Sequence, residues 1–309
     1  MSVRPRKIIG VWDINAAPLK LGFLIIFLEE LLQLCKKHGG SADIAFVKSR
    51  DAIDYSFIGA VVSFFPRLSS LYIFETAAEL DAFLAWKGDA YEKWPLNAEI
   101  ARTSWHGSTL SIQEFCRAGG SLVGLQGNNA VLKETLAFMD GHLDGALPVV
   151  LHLKNSTVDV QSNAVIDSWC ALFKHCAEAG LPVKFLLIAD DPVDPRCLCA
   201  PNVIRVGDFR SSLSLYLGLI EHAFIFMGMS SGPCNMALLS NVPYIIIKHP
   251  DHHPEEMERE LRGNENFPFA GRRQRFIRKV ETPELLIGEF ERIYNSHDAD
   301  SWRKQRHAH

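Results

Sequence analysis

The second half of the chain alternates short, predominantly apolar runs with amphipathic stretches. Residues 183–188 and 244–247 are two such runs, rich in Val, Ile, Leu, Phe and Tyr. Runs of this kind are typical of strands buried on both faces, as in a parallel sheet that carries helices on either side. The alternation therefore predicts an α/β fold.

Periodicity and turn residues together predict the order of the elements along the chain. Strands are expected at 7–12, 42–47, 58–63, 121–125, 149–153, 183–188, 203–206, 223–227 and 244–247. Helices are expected at 18–37, 76–90, 112–118, 129–139, 165–179, 211–221, 231–239 and 283–295.

The chain has 309 residues, enough for two domains. The stretch 140–148 is rich in Gly and turn residues, so it is the expected linker. We therefore predict one Rossmann-like domain over 1–147 and a second over 148–309, facing each other across a cleft. The last helix is a candidate to pack back on the first domain. Ligands of such folds bind at the carboxyl ends of the strands.

Composition excludes several classes of protein. With 48% apolar and 22% charged residues, the chain is neither disordered nor fibrous. Its net charge of −4 disfavours a partner made of nucleic acid. No apolar run reaches the roughly 20 residues of a membrane helix, and no signal peptide is recognisable. The seven cysteines follow no disulfide or zinc pattern, which favours a reduced, cytoplasmic protein.

The strongest local signal is the turn Ser230-Ser231-Gly232-Pro233, between a predicted strand and a predicted helix. Gly232 permits a close approach of the backbone, and Pro233 suits a first helical turn. Hydroxyl and N–H groups at such a turn favour an anion, which predicts a phosphate or diphosphate site. Alternatively, Ser231 only caps the helix.

This turn, followed by a short helix and Pro243-Tyr244-Ile245, resembles the C-terminal half of the glycosyltransferases with the GT-B fold. It is most similar to the heptosyltransferase-like group, glycosyltransferase family 9. Two positions depart from that group's motif: Met229 stands where the group often has Asp, and Asn235 stands near its His. The resemblance extends over roughly residues 148–250.

The resemblance implies that the second domain binds a nucleotide-diphospho sugar as co-substrate, with no further cofactor and no metal. Lys154 then supplies positive charge to the donor phosphates, unless it is a solvated loop lysine. Asp208 either binds a ribose hydroxyl or caps the helix near residue 211. The residues implied in binding are His152, Lys154, Asn155, Asp208, Ser230, Ser231, Gly232, Pro233, Lys248 and His249.

Two further segments offer binding residues. Asn266 belongs to a polar and aromatic loop that is suited to close over a sugar. Arg272 begins a run of five cations ending at Lys279, which fits a donor phosphate, an anionic acceptor or a lipid head group. Alternatively, this run is a solvated face. The His-rich segment 249–256 has ligand residue types, but its spacing fits no common zinc motif, so we predict no metal.

The first domain offers a candidate catalytic group. Asp13 ends the first predicted strand, where a carboxylate can remove the proton of an acceptor hydroxyl. Asn15 is an equally suitable acceptor contact, and His106 is a second candidate base. The alternative for Asp13 is a carboxylate that only stabilises a turn.

We therefore expect a metal-independent glycosyltransferase, transferring a hexosyl or heptosyl group as in polysaccharide biosynthesis. The acceptor is a glycan, a lipid-linked compound or a small molecule, and peripheral membrane contact is compatible with the cationic run. The sequence leaves the sugar, the acceptor and the oligomeric state open. The alternatives are a non-hydrolysing nucleotide-sugar epimerase and an inactive nucleotide- or glycan-binding protein.

Overall fold

The computed structural model describes residues 7–49, 55–88, 91–95, 108–189, 193–209 and 212–306. The chain divides into two compact units, residues 1–128 and 129–309. The predicted division at residue 147, which separates acceptor and donor roles, remains a prediction. Within the described ranges, no helix combines the length and apolar character needed to cross a membrane.

The first unit is a four-stranded parallel sheet with the order β3-β2-β1-β4. Its strands are β1 (Lys7–Asp13), β2 (Ala42–Val47), β3 (Leu68–Phe74) and β4 (Tyr91–Trp94). Its described helices are α1 (Leu21–His38), α2 (Ser56–Val62), α3 (Ala77–Lys87) and α4 (Leu110–Arg117).

Helix α1 packs closely on the central strand β1. A Cβ atom at Gly10 would collide with the side chains of Phe27 and Leu31. Because glycine has no side chain, α1 can pack close to β1 at this position. The helix ends at Gly39, which adopts the left-handed conformation and donates its N–H to the carbonyl of Cys35. Glycine at these two positions thus determines how closely α1 packs on β1 and where the helix ends.

Two buried acids lie in the middle of α1. The carboxylate of Glu29 accepts the N–H groups of Val123 and Gly124 at 2.9 and 3.0 Å, and Glu30 accepts Trp94 Nε1 at 3.2 Å. Burial raises the pKa of Glu29 to about 7 and that of Glu30 to about 8. The predicted strand at 121–125 is wrong because these amides bond to a carboxylate rather than to a neighbouring strand.

The second unit is a six-stranded parallel sheet with the order β10-β9-β8-β5-β6-β7. Its strands are β5 (Leu147–His152), β6 (Val183–Leu187), β7 (Val203–Arg205), β8 (Ile225–Met229), β9 (Tyr244–Ile247) and β10 (Gln274–Ile277). Its described helices are α5 (Asn129–His142), α6 (Ile166–Glu178), α7 (Leu213–Glu221), α8 (Cys234–Leu238), α9 (Pro254–Leu261), α10 (Pro283–Ser296) and α11 (Ala299–Arg306).

Counted from β5, this strand order is the 3-2-1-4-5-6 order of the doubly wound fold. The order reverses between β5 and β8, and this switch point is where such sheets bind ligands. Buried aromatic side chains such as Trp169, Phe185 and Phe290 fill the core on one face. The predicted fold class, α/β with two Rossmann-like parallel sheets, is confirmed.

Several predicted elements are corrected. Residues 58–63 lie in α2 and its end rather than in a strand, because Ile58, Val61 and Val62 are buried at helical spacing. Strands β3 and β10 were not predicted because they are edge strands with polar or exposed residues. Strand β4 and the helices α9 and α11 were also missed. Trp302 of α11 packs on Phe224 of the second unit.

We predict that Glu30→Gln flattens the pH dependence of stability of the first unit. The folded state keeps a proton on this acid above pH 4.5, where the unfolded chain releases it. Stability is therefore lost as pH rises towards 8, by at most about 1.4 kcal/mol per pH unit for one group. The slope of the unfolding free energy against pH is measured by urea unfolding from pH 5 to 8, with hydrogen exchange in α1 as the probe. The exposed Glu284→Gln is the control, and an unchanged slope in Glu30→Gln would contradict the expectation.

We also predict that Gly228→Ala destabilises the second unit. A Cβ atom there would collide with the backbone carbonyl of His152 on β5, and a backbone neighbour cannot move aside as a side chain can. The expected loss is about 1–3 kcal/mol in the free energy of unfolding. Gly288→Ala, on an exposed face of α10 with no atom in the way, is the matched control and gains up to about 1 kcal/mol. Equal unfolding curves for the two variants would refute the steric explanation.

Candidate functional site

The carboxyl ends of β5, β8 and β9 meet at the switch point of the second sheet. Strand β5 ends at His152, which pairs with Gly228 of β8. After β8 the chain turns at Ser230, whose N–H donates to the carbonyl of Ile247 at the end of β9. Three strand ends thus bring polar side chains to one edge of the sheet.

An imidazole and a hydroxyl pair at this edge. Ser231 Oγ lies 2.9 Å from His152 Nδ1, so the hydroxyl links the end of β5 to the turn that follows β8. Ser231 does not cap helix α8, which spans only Cys234–Leu238. The N–H of Ser231 donates to Cys234 Sγ at 3.3 Å. The backbone N–H groups of Ser230 and Ser231, which were expected to face an anion, therefore bond within the protein. The hydroxyl of Ser231 remains as a polar group at the turn.

The loop after β5 is held by its own hydrogen bonds. The side-chain amide of Asn163 accepts the N–H of Ser156 at 2.6 Å and donates to its carbonyl at 2.9 Å. Ala164 N–H closes the loop on the carbonyl of Lys154. The Ser156 hydroxyl accepts the N–H of Asp159 at 3.0 Å. These bonds fix the position at which Lys154 leaves the strand end.

Asp159 is the internal partner of the predicted phosphate-binding lysine. Its Oδ2 atom lies 2.7 Å from Lys154 Nζ and 2.9 Å from His252 Nε2. The hydrogen bond from Lys154 lowers the pKa of Asp159 to about 2. Burial lowers the pKa of His252 to about 4 in spite of Asp159. At neutral pH the pair is therefore a carboxylate and a neutral imidazole.

The remaining predicted residues of this unit have varied surroundings. Lys248 follows β9 and is buried, whereas Arg272 is exposed. His249 Nδ1 accepts the N–H of Asp251 at 3.2 Å. Asn266 Nδ2 donates to the carbonyl of Gln274 at 2.7 Å, which fixes the 264–269 loop.

Asp208 was predicted either to bind a ribose hydroxyl or to cap the helix near residue 211. Asp208 Oδ1 lies 3.5 Å from Arg205 Nη1 in a 3₁₀ turn after β7. Helix α7 is capped instead by Ser212, whose hydroxyl accepts the N–H of Leu215. Asp208 is therefore not the cap of this helix. Asn155 is exposed at the start of the loop after β5.

In the first unit, Asp13 ends the central strand β1 as predicted. Its Oδ1 atom accepts the N–H of Asn15 at 2.9 Å and Asn15 Nδ2 at 3.0 Å. Asn15 Nδ2 also donates to the carbonyl of Lys48 at 2.8 Å. The carboxylate thus organises the turn after β1, and it is partly accessible there. His106, the second candidate base, lies outside the described residues.

Sequence reasoning missed Asp159, His252 and Asn163. The charge of Asp159, five residues after Lys154, was the available signal for an ion pair within the loop. His252 comes from a segment more than 90 residues away, so only the fold reveals it. In the described part of the chain, no group of three or more His, Cys, Asp or Glu could hold a metal ion.

Comparison with known proteins gives a fold-level likeness. No protein-family model matches the chain, and no curated protein does. A family 9 glycosyl transferase from Veillonella parvula DSM 2008 superposes with a TM-score of 0.60 and 12% identity, over 94% of this chain and 90% of that one. For E. coli ADP-heptose lps heptosyltransferase II the values are 0.60 and 11%, over 95% and 100%. This chain shares the fold of the heptosyltransferases.

A further neighbour with this fold carries a ligand. E. coli heptosyltransferase WaaC with ADP superposes with a TM-score of 0.55 and 12% identity, over 94% of this chain and 99% of that one. The resemblance suggested by the Ser230–Pro233 turn is thus confirmed for the fold, and it extends beyond residues 148–250 to most of the chain.

We predict that Asn163→Ala loosens the loop after β5 without unfolding the unit. The substitution removes both hydrogen bonds to the Ser156 backbone, which together stabilise the loop by about 1–3 kcal/mol. Hydrogen exchange of peptides covering 154–162 should accelerate by about 5- to 100-fold, while peptides from β8 keep their protection. Asn202→Ala, which removes a hydrogen bond to Phe173 elsewhere in the unit, is the control and should not accelerate exchange in this loop. Unchanged exchange in Asn163→Ala would show that the loop does not depend on these bonds.

Proposed function

We propose that this protein is a glycosyltransferase that moves a sugar from a nucleotide-diphospho sugar to an acceptor hydroxyl. One observation carries the proposal: a hydroxyl, an imidazole and a lysine converge at the switch point of a doubly wound sheet. The fold likeness to heptosyltransferases, one of them holding ADP, supports the same substrate class. Such a site suits a diphosphate better than an uncharged ligand.

The chemistry requires a stabilised leaving group. The bond from the anomeric carbon to the phosphate oxygen breaks, and negative charge develops on the diphosphate. We assign Lys154 to this charge, after it exchanges Asp159 for a phosphate oxygen, and the Ser231 hydroxyl donates a hydrogen bond beside it. Gly232 and Pro233 shape the turn for a close approach. Cationic side chains then provide the neutralisation that a metal ion provides in other enzymes.

The acceptor side is assigned to the first unit. Asp13 is our candidate base for the acceptor proton, and Asn15 orients its carboxylate. The hexosyl or heptosyl identity of the transferred sugar is left to experiment. The remaining proposed contacts to donor or acceptor are His152, Asn155, Asp208, Ser230, Lys248, His249, Asn266 and Arg272.

We predict that Lys154→Ala weakens binding of a nucleoside diphosphate by about 10- to 100-fold, since a hydrogen bond to a charged group contributes about 1.5–3 kcal/mol. Isothermal titration with ADP, UDP, GDP and CMP, each with and without EDTA, identifies the base and tests the independence from metal. Lys174→Ala is the matched control, because this lysine is exposed on α6 and pairs only with Glu178 among the described residues. Equal affinity in the two variants would reject the assignment of Lys154.

The same nucleotide then decides between the candidate activities. Incubation of its sugar conjugates with and without acceptors should release nucleotide only when an acceptor hydroxyl is present. Conversion of the sugar without release of nucleotide indicates an epimerase instead. Saturable binding with neither reaction indicates a binding protein, and no binding of any of the four nucleotides rejects the transferase.

A further inference from the structure

Lys248 is a buried lysine at the carboxyl end of β9. Only 7% of its surface is exposed, although it begins the loop that follows β9. Its backbone N–H donates to the carbonyl of Ile277 on the edge strand β10, so the position of the residue is fixed by the sheet. Among the described residues, none forms a hydrogen bond or an ion pair with its amine. A buried amine in this state lacks the anion that such groups require.

The groups around this amine carry an excess of positive charge. Lys154 follows β5, Arg278 follows β10, and both act on Lys248 as like charges. Glu256 on α9 and the thiol of Cys234 on α8 oppose them weakly, since burial raises the pKa of Cys234 to about 11. His252 completes the surroundings as a neutral imidazole, and Asp159 is already bonded to Lys154.

The other two cations are engaged, which leaves Lys248 as the amine without an anion. Lys154 Nζ lies 2.7 Å from Asp159 Oδ2, and Arg278 Nη2 donates to the carbonyl of Pro250. Burial and the neighbouring cations lower the pKa of Lys248. An incoming anion with two or more charges reverses both effects, because it supplies the missing partner at short range.

We propose that Lys248 is a second cation for the diphosphate, and that its amine takes up a proton from solvent when the diphosphate binds and returns it on release. This inference rests on the proposed function, and it assigns to the site a charge that appears only with the ligand. The balance is simple: each amine that is neutral before binding takes one proton from solvent and becomes an ammonium, and no covalent bond to the ligand forms.

The arrangement suits a leaving group better than a resting ligand. Negative charge on the diphosphate increases as the bond to the sugar breaks, and an ammonium fixed at the end of a sheet strand needs little reorganisation to meet it. Lys154, on a loop, provides the mobile cation and Lys248 the fixed one. Their placement on different strands lets them approach the diphosphate from two directions.

Calorimetry in two buffers tests the proposal. The nucleoside diphosphate selected by the panel is titrated at pH 8 into the full chain in Tris and in HEPES, and the difference in enthalpy gives the number of protons bound. At pH 8 the terminal phosphate of the nucleotide is already ionised, so its own titration contributes little. The wild type should take up protons on binding, at most one per nucleotide. Lys248→Met, of similar size and without charge, should take up none and bind at least tenfold more weakly.

Two controls separate the possible failures. Lys174→Met removes an exposed lysine of α6 and should keep both the affinity and the proton uptake. His252→Gln should keep the proton uptake, and its loss there would assign the proton to the imidazole and overturn the role of Lys248. Binding without proton uptake in the wild type also overturns it, while the proposed function stands. No binding of any nucleotide removes the proposed function itself. A urea unfolding curve confirms that Lys248→Met is folded.

Discussion

The pairing of β5 with β8 is the constraint on which the candidate site depends. The two strands are far apart in sequence, yet their parallel register places His152 opposite Gly228. The absence of a side chain at Gly228 allows the β5 carbonyl to approach closely, and the turn that follows then reaches the imidazole. Because parallel strands end at one edge, β9 adds Lys248 to the same group.

The central strands and the turn between β8 and α8 could be predicted from sequence, since doubly buried strands are apolar along their length. Edge strands lack this pattern. Strand β10 begins with Gln and Arg before two apolar residues, inside a cationic run, and β3 leaves Leu71 and Ile73 exposed, so neither was recognised. Similarly, Ile58 to Val62 has the β-branched composition of a strand but the burial of a helix.

The turn at Ser230–Pro233 and Lys154 could be recognised as candidates from the sequence, but the electrostatics around them could not. Asp159 lies in the same loop as Lys154, so their ion pair could be predicted from the sequence if Asn163 were known to close the loop. The burial of Lys248 and the approach of His252 depend on three strand ends meeting, which is a property of the topology. The buried acids Glu29 and Glu30 are a comparable case, because an acid within an apolar helix suggests an exposed face until its partners from residues 94 and 123–124 are known.

Asp159 competes with any incoming anion for the ammonium group of Lys154. In the proposed function, the carboxylate and an incoming phosphate share one ammonium, so the expected affinity for any anion is its intrinsic affinity reduced by the fraction of time that Lys154 spends on Asp159. A monovalent anion gains little from this exchange, since it replaces one carboxylate with another single charge. A diphosphate gains more, because its remaining charge is met by other cations. An internal acid of this kind converts a generally cationic crevice into one that responds to charge number, and so protects it from occupation by abundant small anions.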